Sequence, residues 1–510
     1  MTEYDVVVIG SGLGGLSAAA LLARAGLHVA VVERNEHPGG YAQVFRRGPY
    51  LFDPAIHFTL DAGPRGFTPK MLAHLGVADR VRFVASDHTY RSFFPGLTVD
   101  AKRGRDAFLA THQELFPADA DGLARLFRMR QDIFAQLAAL PQKLGPDGLA
   151  AAMETAPLVF RHRMSSVEEV LAEYLRDTRT AAAVASIWPY VGSPPARMSF
   201  LLFNQMLESL HEGCYYAVGS FQTLVDALAA AVVENGGDVL LGGAATKILV
   251  RDGRAVGVEV AGDTILTARA VVSNADPQHT FGELLGWEHA GGVLRRRIGR
   301  YHLSPSAVAL YGILRADPAE LGLVHENFVF PSWDHGRTWS DLRAGRPGGI
   351  WVSVPTLLDP SLAATGEHLS VVTGLVPARA DGSWRAVRDA TAEEMLRTAD
   401  GLVPGLRDAF EIVEIATPDT LHRYTNSTGG AIYGWENIPA QTASKRLAHR
   451  TPVDGLFLSG QWSEEGTSSL RVLTSGRATA ALVAGDLGRP GAVPDLGGPS
   501  FLNQLRGDDR

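Results

Sequence analysis

The chain has 510 residues, 46% of them apolar and 20% charged, with a formal net charge of −8. That length exceeds what one hydrophobic core usually serves, so at least two structural units are expected, and the acidic balance offers no basic surface for nucleic acid. The single cysteine, Cys214, excludes an intramolecular disulfide and any CxxC metal site, and suits a reducing, cytoplasmic compartment.

In chain order, residues 4–9 form an apolar, β-branched run that reads as a buried parallel strand. A glycine turn follows, then a helix over about 16–25 ending at Gly26, then a strand over 28–32. This is a βαβ unit. Residues 6–23 carry no charge, yet "MTEYD" lacks a basic leader and the run is broken by Gly10, Gly12, Gly14 and Gly15. Neither a signal peptide nor a membrane span is expected; peripheral membrane contact stays open. Gly10, Gly12 and Gly15 fit G-x-G-x-x-G, in which the second glycine admits a pyrophosphate to the backbone and the third lets helix and strand approach. The helix N-terminus would face those phosphates with unpaired N–H groups. Glu33 ends the second strand at the spacing of a ribose-binding carboxylate, which argues against a 2′-phosphate.

Pro38-Gly39-Gly40 comes just after that acidic strand end. A plain NAD domain would continue into its next helix there, whereas a second glycine pair suggests close backbone approach to a longer ligand. Residues 105–185 carry apolar residues at helical spacing, and Ser166 with Glu169 forms a capping box ahead of Val170 and Leu171. Strand signals return with "DVLLGG", "TKILV", "AVGVEV" and "TILTA", the middle pair separated by the turn Asp252-Gly253, and then "AVVSNADP". Residues 286–450 mix strand-like runs ("SAVALYGIL", "GGIWVSV", "HLSVVTGLV") with the helix-like "TAEEMLRTADGLV". "GLFLSG" reads as a final strand entering a glycine, a helical run over 472–487 follows, and the tail beyond Arg489 is rich in Pro and Gly and reads as extended. One domain is thus expected from three separated pieces, with insertions building a second.

The segments "VIGSGLGGLSAAALLARAG", "VVER", "PGG" and "FDPAIH" together resemble the phytoene desaturase, carotenoid isomerase and retinol saturase group of FAD-dependent, amine-oxidase-like flavoproteins. "YVGSPP", "VVSNADP", "GGAIYGWENIPAQ" and "TPVDGLFLSGQWSEEGTSSLRVLTSGRATAA" resemble it too, so the likeness touches nearly the whole chain. It implies a two-domain α/β fold, a Rossmann-type FAD domain plus a substrate domain of mixed sheet and helix. The FAD domain would comprise 1–67, 214–285 and 453–488; the substrate domain 68–213, largely helical, and 286–452; and 489–510 a tail. By resemblance, Gly10, Gly12, Leu13, Gly14 and Gly15 would hold the pyrophosphate, Glu33 the adenosine ribose, and Arg34 would lie beside the adenine. Gly39, Gly40 and Tyr41 would approach the ribityl or isoalloxazine region, and Ala245 would contact adenine. Gly460 and Gln461 would reach the ribityl phosphate, with Ser469, Leu470 and Arg471 beneath the flavin pyrimidine. Two departures are Gln461, where many relatives have Asp, and Gly466-Thr467-Ser468, where many are richer in glycine.

His57 is the polar residue expected nearest the flavin, either as a general acid or base or as a backbone-bonded structural histidine. Tyr433, Trp435 and Glu436, and less directly Trp188, Tyr190 and Asn204, are expected around an apolar small-molecule substrate. Cys214 reads as a small buried residue. There is no metal-ligand cluster and no second dinucleotide loop, and the pattern leaves the oligomeric state unassigned. The resemblance implies desaturation or saturation of carbon–carbon bonds in a polyene, isoprenoid or polyketide-like molecule. A redox-neutral cis–trans isomerase and a non-catalytic lipid escort of the GDP-dissociation-inhibitor type are the alternatives. An Arg- and Gly-rich composition fits a GC-rich bacterial genome, where such enzymes also tailor secondary metabolites.

Overall fold

In the computed structural model, which describes residues 2–140 and 148–497, the N-terminal apolar run forms strand β1 (Thr2–Ile9). Helix α1 (Leu13–Arg24) and strand β2 (Val29–Val32) follow. β1 pairs in parallel with β2 on one side and with the strand Thr264–Ser273 on the other. Asp238–Leu240 extends the sheet beyond β2, and Leu456–Leu458 joins it beside Thr264–Ser273. Three stretches widely separated in the chain, within 2–32, 238–273 and 456–458, therefore share one sheet. All four residues of β2 are buried, as parallel strands covered on both faces must be. On one face α1 packs between the helix Gln222–Glu234 and the last helix, Ser469–Asp486.

Two strands expected from "TILTA" and "AVVSNADP" are a single strand, Thr264–Ser273. Its first residues pair antiparallel with Arg254–Val260, and its later ones run parallel to β1 and Leu456–Leu458. No turn is needed, because one strand can exchange neighbours along its length. The hairpin ahead of it turns at Asp252 and Gly253, both with positive φ (50° and 77°), the conformation that a two-residue turn demands.

The second sheet orders its strands Phe410–Ala416, Ser306–Leu314, His368–Val376, Gly348–Ser353, Glu326–Val329, His88–Phe94 and Leu97–Lys102. Both of its faces are apolar. Val308, Leu310, Val352 and Val372 pack into one core with Trp384 and Met395 of the helix Trp384–Asp400. Ala309, Tyr311, Trp351 and Val371 face the core shared with the nucleotide-type sheet. This two-sided burial explains why these strands read as continuous apolar runs. Among the described residues, six α-helices between Arg105 and Val184 form the insertion, and the capping box closes as expected: Ser166 Oγ accepts from Glu169 N at 3.2 Å and the Glu169 carboxylate from Ser166 N at 2.8 Å. The segment ahead of them departs from the helical expectation, because His88–Phe94 and Leu97–Lys102 form an edge hairpin on the second sheet. The tail is described only to residue 497, and the rest of the expected extended segment lies outside the described residues. Among the described residues no helix is long and apolar enough to cross a membrane.

Gly15 fixes how α1 seats on the first turn. A Cβ there would stand 2.1 Å from the Gly10 carbonyl oxygen. Backbone cannot rotate out of the way as a side chain can, so overpacking applies in full. Gly15→Ala is expected to destabilise the protein by about 2–3 kcal/mol, read as a lowered thermal midpoint.

Candidate functional site

A single cavity of about 770 Å³ runs along the C-terminal ends of β1 and β2 and on to the second sheet. Its first part is bare backbone. Gly12 makes an isolated parallel bridge with Gly39, and Gly39 N donates to the Ser11 carbonyl at 3.1 Å, so the two glycine turns are laid against each other. No side chain caps α1 at Gly12. The first-turn N–H groups of that helix are thus free to meet an anion. Asn274, just beyond Thr264–Ser273, stands among the glycines: a Cβ on Gly12 would lie 2.7 Å from its Nδ2, and one on Gly14 2.8 Å from its Oδ1. Gly460 has φ +90°, and a Cβ there would lie 2.2 Å from Asn274 Oδ1. A cradle from which side chains are excluded at several positions, opening onto an uncapped helix end, fits a phosphate-linked nucleotide cofactor.

Glu33, buried at the end of β2, lines the cavity and accepts hydrogen bonds from Ser11 N (2.9 Å), Ser11 Oγ (2.7 Å) and Asn35 N (2.9 Å). The carboxylate therefore braces the glycine loop from below as well as facing the cavity. Arg34 is exposed at the cavity end and donates to the Arg423 carbonyl. Gly10, Leu13, Gly40, Tyr41, Ala245, Gln461, Ser469, Leu470 and Arg471 also line the cavity. Tyr41 donates its hydroxyl to the Ala431 carbonyl at 2.9 Å. At the last helix Ser468 Oγ accepts from Arg471 N, Ser469 Oγ donates to Thr59 Oγ1 at 2.8 Å, and Arg471 bonds the Glu465 carbonyl and Gln205 Oε1.

The far wall is largely apolar, including Ile56, Phe58, Ile187, Leu202, Met206 and Trp351, with His57, Tyr190, Gln205, Ser209 and Thr373 among the polar residues there. His57 is 2% exposed. Its loop is anchored by Asp53, whose carboxylate takes the Tyr216 hydroxyl and Phe221 N; burial pushes that acid up to about 7. His57 Nδ1 lies 2.9 Å from Ser353 Oγ, and Nε2 has no hydrogen-bond partner. Burial, the neighbouring His325 and little compensation from the Asp53 backbone carry the His57 imidazole down to about 3, so it is neutral near pH 7. Ser353 Oγ is also 2.8 Å from Glu326 Oε2, which Tyr190 contacts through its hydroxyl. Burial pushes Glu326 up to about 8.

Five expected residues do not line this cavity. Gly15 lies beneath the loop against Gly10, where its role is helix packing. Trp188 is fully buried and donates Nε1 to His335 Nδ1 at 3.1 Å. Asn204 spends its Oδ1 on Arg130 Nε at 2.6 Å. Trp435 packs edge-on against Trp462 and donates to that residue's carbonyl. Glu436 forms a two-pronged pair with Arg197, both contacts 2.7 Å. The last four are large or polar groups held inside a core, with Asn204 Nδ2 left without a partner. Tyr190 and Tyr433 do line the cavity, and Tyr433 donates to the Pro189 carbonyl at 3.0 Å. Cys214 is free and buried. Sequence reasoning missed Asn274, Glu326 and Ser353. Asn274 stood inside the recognised "VVSNADP", whereas the other two are joined only by strand register.

Glu33→Ala would strip acceptors from the buried Ser11 N–H and hydroxyl. A buried donor left unpaired costs about 2 kcal/mol, or about thirtyfold in a dissociation constant. The expected outcome is a dissociation constant for the nucleotide cofactor raised by about that factor, measured by equilibrium dialysis.

Among curated proteins the chain is similar to prolycopene isomerase 2 (chloroplastic) of an Oncidium hybrid cultivar, 27% identical over 97% of this chain and 86% of that one. It is also similar to a lycopene-forming phytoene desaturase of a Paracoccus species, 27% identical over 94% of this chain and 97% of that one. Among solved structures, a putrescine oxidase double mutant superposes with a TM-score of 0.66 at 16% identity, covering 95% of this chain and 99% of that one. An oxidoreductase from Methanosarcina mazei gives 0.63 at 20% identity, covering 94% and 99%. The two-domain α/β fold is that of amine-oxidase-like flavoproteins. Residues 13–484 match the family model of flavin-containing amine oxidoreductases, and the chain belongs to that family of flavin-dependent enzymes.

Proposed function

We propose that the flavin is FAD and that the enzyme desaturates or saturates carbon–carbon bonds of an apolar polyene, isoprenoid or polyketide-like molecule. The observation that carries this reading is the continuity of one cavity from Glu33 and the glycine cradle to an apolar wall holding His57. A mononucleotide would need only part of that length. The Arg34 end suits an adenine, and the last helix, beginning at Ser469, suits the ring end. FAD would supply hydride chemistry there.

The chain's own residues do the rest. Glycine turns and first-turn N–H groups bind the pyrophosphate. Phe58, Leu202 and Met206 offer a substrate only dispersion and burial, which suits a hydrocarbon and excludes water from the reacting carbons. His57, neutral and fixed at Nδ1, can take or give a proton at Nε2. A redox-neutral polyene isomerase is a second reading, favoured by the likeness to a prolycopene isomerase that aligns over 97% of the chain. A Plasmodium falciparum Rab GDI shares the fold, with a TM-score of 0.52 at 12% identity. The glycine cradle and braced Glu33 support catalysis over an escort role. The cytoplasm, with peripheral membrane contact for substrate delivery, is the proposed location.

Purified holoprotein is to be mixed anaerobically with polyenes of graded length and saturation. Bleaching of the oxidised flavin by one of them is expected, and His57→Gln should slow it by about a hundredfold with the resting flavin spectrum retained. A panel that neither bleaches the oxidised protein nor reoxidises or isomerises with photoreduced protein would sink the proposal.

A further inference from the structure

The polar residues behind His57 form a line through otherwise apolar core. Glu326 and Ser353 are direct cross-strand partners in the antiparallel pair Glu326–Val329 and Gly348–Ser353. Their side chains project to the same face as Phe328 and Trp351, the next opposed pair. Register therefore holds Glu326 Oε2 2.8 Å from Ser353 Oγ, and the His57 loop brings Nδ1 to 2.9 Å from the same oxygen. Glu326 is 1% exposed, Ser353 fully buried, and Tyr190, which contacts Oε2, lines the cavity. A structural serine needs one partner; this one stands between a carboxyl and an imidazole.

We propose that Glu326 and His57 share one proton through the Ser353 hydroxyl, so that ionisation of Glu326 sets which ring nitrogen of His57 carries hydrogen. The serine has one proton and cannot donate both ways. With Glu326 ionised, Ser353 donates to Oε2 and accepts from His57 Nδ1–H, and Nε2 is bare. With Glu326 neutral, its O–H donates to Ser353, Ser353 donates to Nδ1, and the hydrogen sits on Nε2. Uptake of a proton at Nε2 moves the system from the first state to the second. The Nε2–H bond forms, the Nδ1–H bond breaks as that proton passes to Oγ, and the former Oγ proton forms the O–H of Glu326. No electron changes owner, and the imidazole ends neutral.

That last point is what the arrangement accomplishes. A histidine this buried resists becoming imidazolium, so alone it is a poor base. Passing the charge change to a carboxyl already held near 8 by burial removes the obstacle. Glu326 is thus a positioning residue that acts through His57. The groups facing the pair are few. His325 Nε2 is 3.3 Å from Glu326 Oε1 and 2.8 Å from the His57 carbonyl oxygen, and burial holds His325 below its usual range. Tyr190 is held far above its usual range by burial and by Glu326, while Tyr433 and Cys214, both raised chiefly by burial, also feel the Glu326 charge. Asp53 faces His57 through its backbone carbonyl. None brings a permanent cation.

The proposal rests on reading this cavity as the substrate site, but its test needs no substrate. Holoprotein labelled with ring-¹⁵N histidine is to be titrated from about pH 6 to 10, with His57→Gln assigning the signals. The expected result is a tautomer change at His57, from Nε2–H to Nδ1–H, as pH rises through about 8. A carboxylic-acid C=O band in the infrared should disappear over the same range. Glu326→Gln keeps the size and hydrogen-bonding capacity of the side chain but should remove the infrared band and leave the His57 tautomer independent of pH. Ser353→Ala should uncouple the two, leaving the band but no tautomer change. A His57 tautomer that ignores pH in the unaltered protein, or one that still switches in Glu326→Gln, overturns the proposal. If the switch is seen while no polyene bleaches the flavin, the relay stands and the substrate reading falls.

Discussion

Asn274 and the glycines around it are the contact on which the rest of the molecule is hung. Gly12, Gly14 and Gly15 come from the first turn, Gly460 from the last, and Asn274 from the end of the strand between them. A Cβ on any of these four glycines would fall within 3.1 Å of an Asn274 atom or closer still to backbone. Side chains are excluded there so that three separated backbones can meet. The space they leave is the beginning of the cavity, and everything further along, including the last helix and the His57 loop, takes its position from that meeting.

The second sheet poses a different problem. Its inner strands are buried on both faces, yet it brings a glutamate, a serine and, through the adjoining loop, a histidine into apolar surroundings. Burial of an isolated charge is costly, so such groups are expected to be neutral or mutually bonded. Here they are both. The hydrogen bonds are fixed by cross-strand register, a more rigid support than a loop can give, and the aromatic rings of Tyr190, Phe328 and Trp351 pack around them at 5.1 to 5.2 Å between centroids.

Legibility of the sequence followed the range over which each feature is specified. The βαβ unit is written in residues 4–33, where strand, glycine turn, helix and acidic strand end are neighbours, so local spacing was enough. The Asp252-Gly253 hairpin and the Ser166 capping box were readable for the same reason. The hairpin over 88–102 was not, because Leu97–Lys102 is a half-exposed edge strand and His88–Phe94 takes its second partner from the distant strand at 326–329. The cofactor side of the site was visible in glycines, whose positions are dictated by backbone approach. The substrate side was not. Trp188, Asn204, Trp435 and Glu436 have the composition of a pocket but are consumed by His335, Arg130, Trp462 and Arg197. Glu326 and Ser353 sit in runs where nothing local distinguishes them from ordinary strand residues.

The discontinuous sheet also bears on how the protein is made. β1 leaves the ribosome well before one of its lasting neighbours, the strand Thr264–Ser273, and longer still before the Gly460 turn and the helix beginning at Ser469. Until those segments emerge, the matching edge of β1 is unpaired and the nucleotide cleft has only one wall. Cofactor capture must then wait for them, and the nascent chain must keep a sticky parallel strand covered by other means until its distant partners arrive.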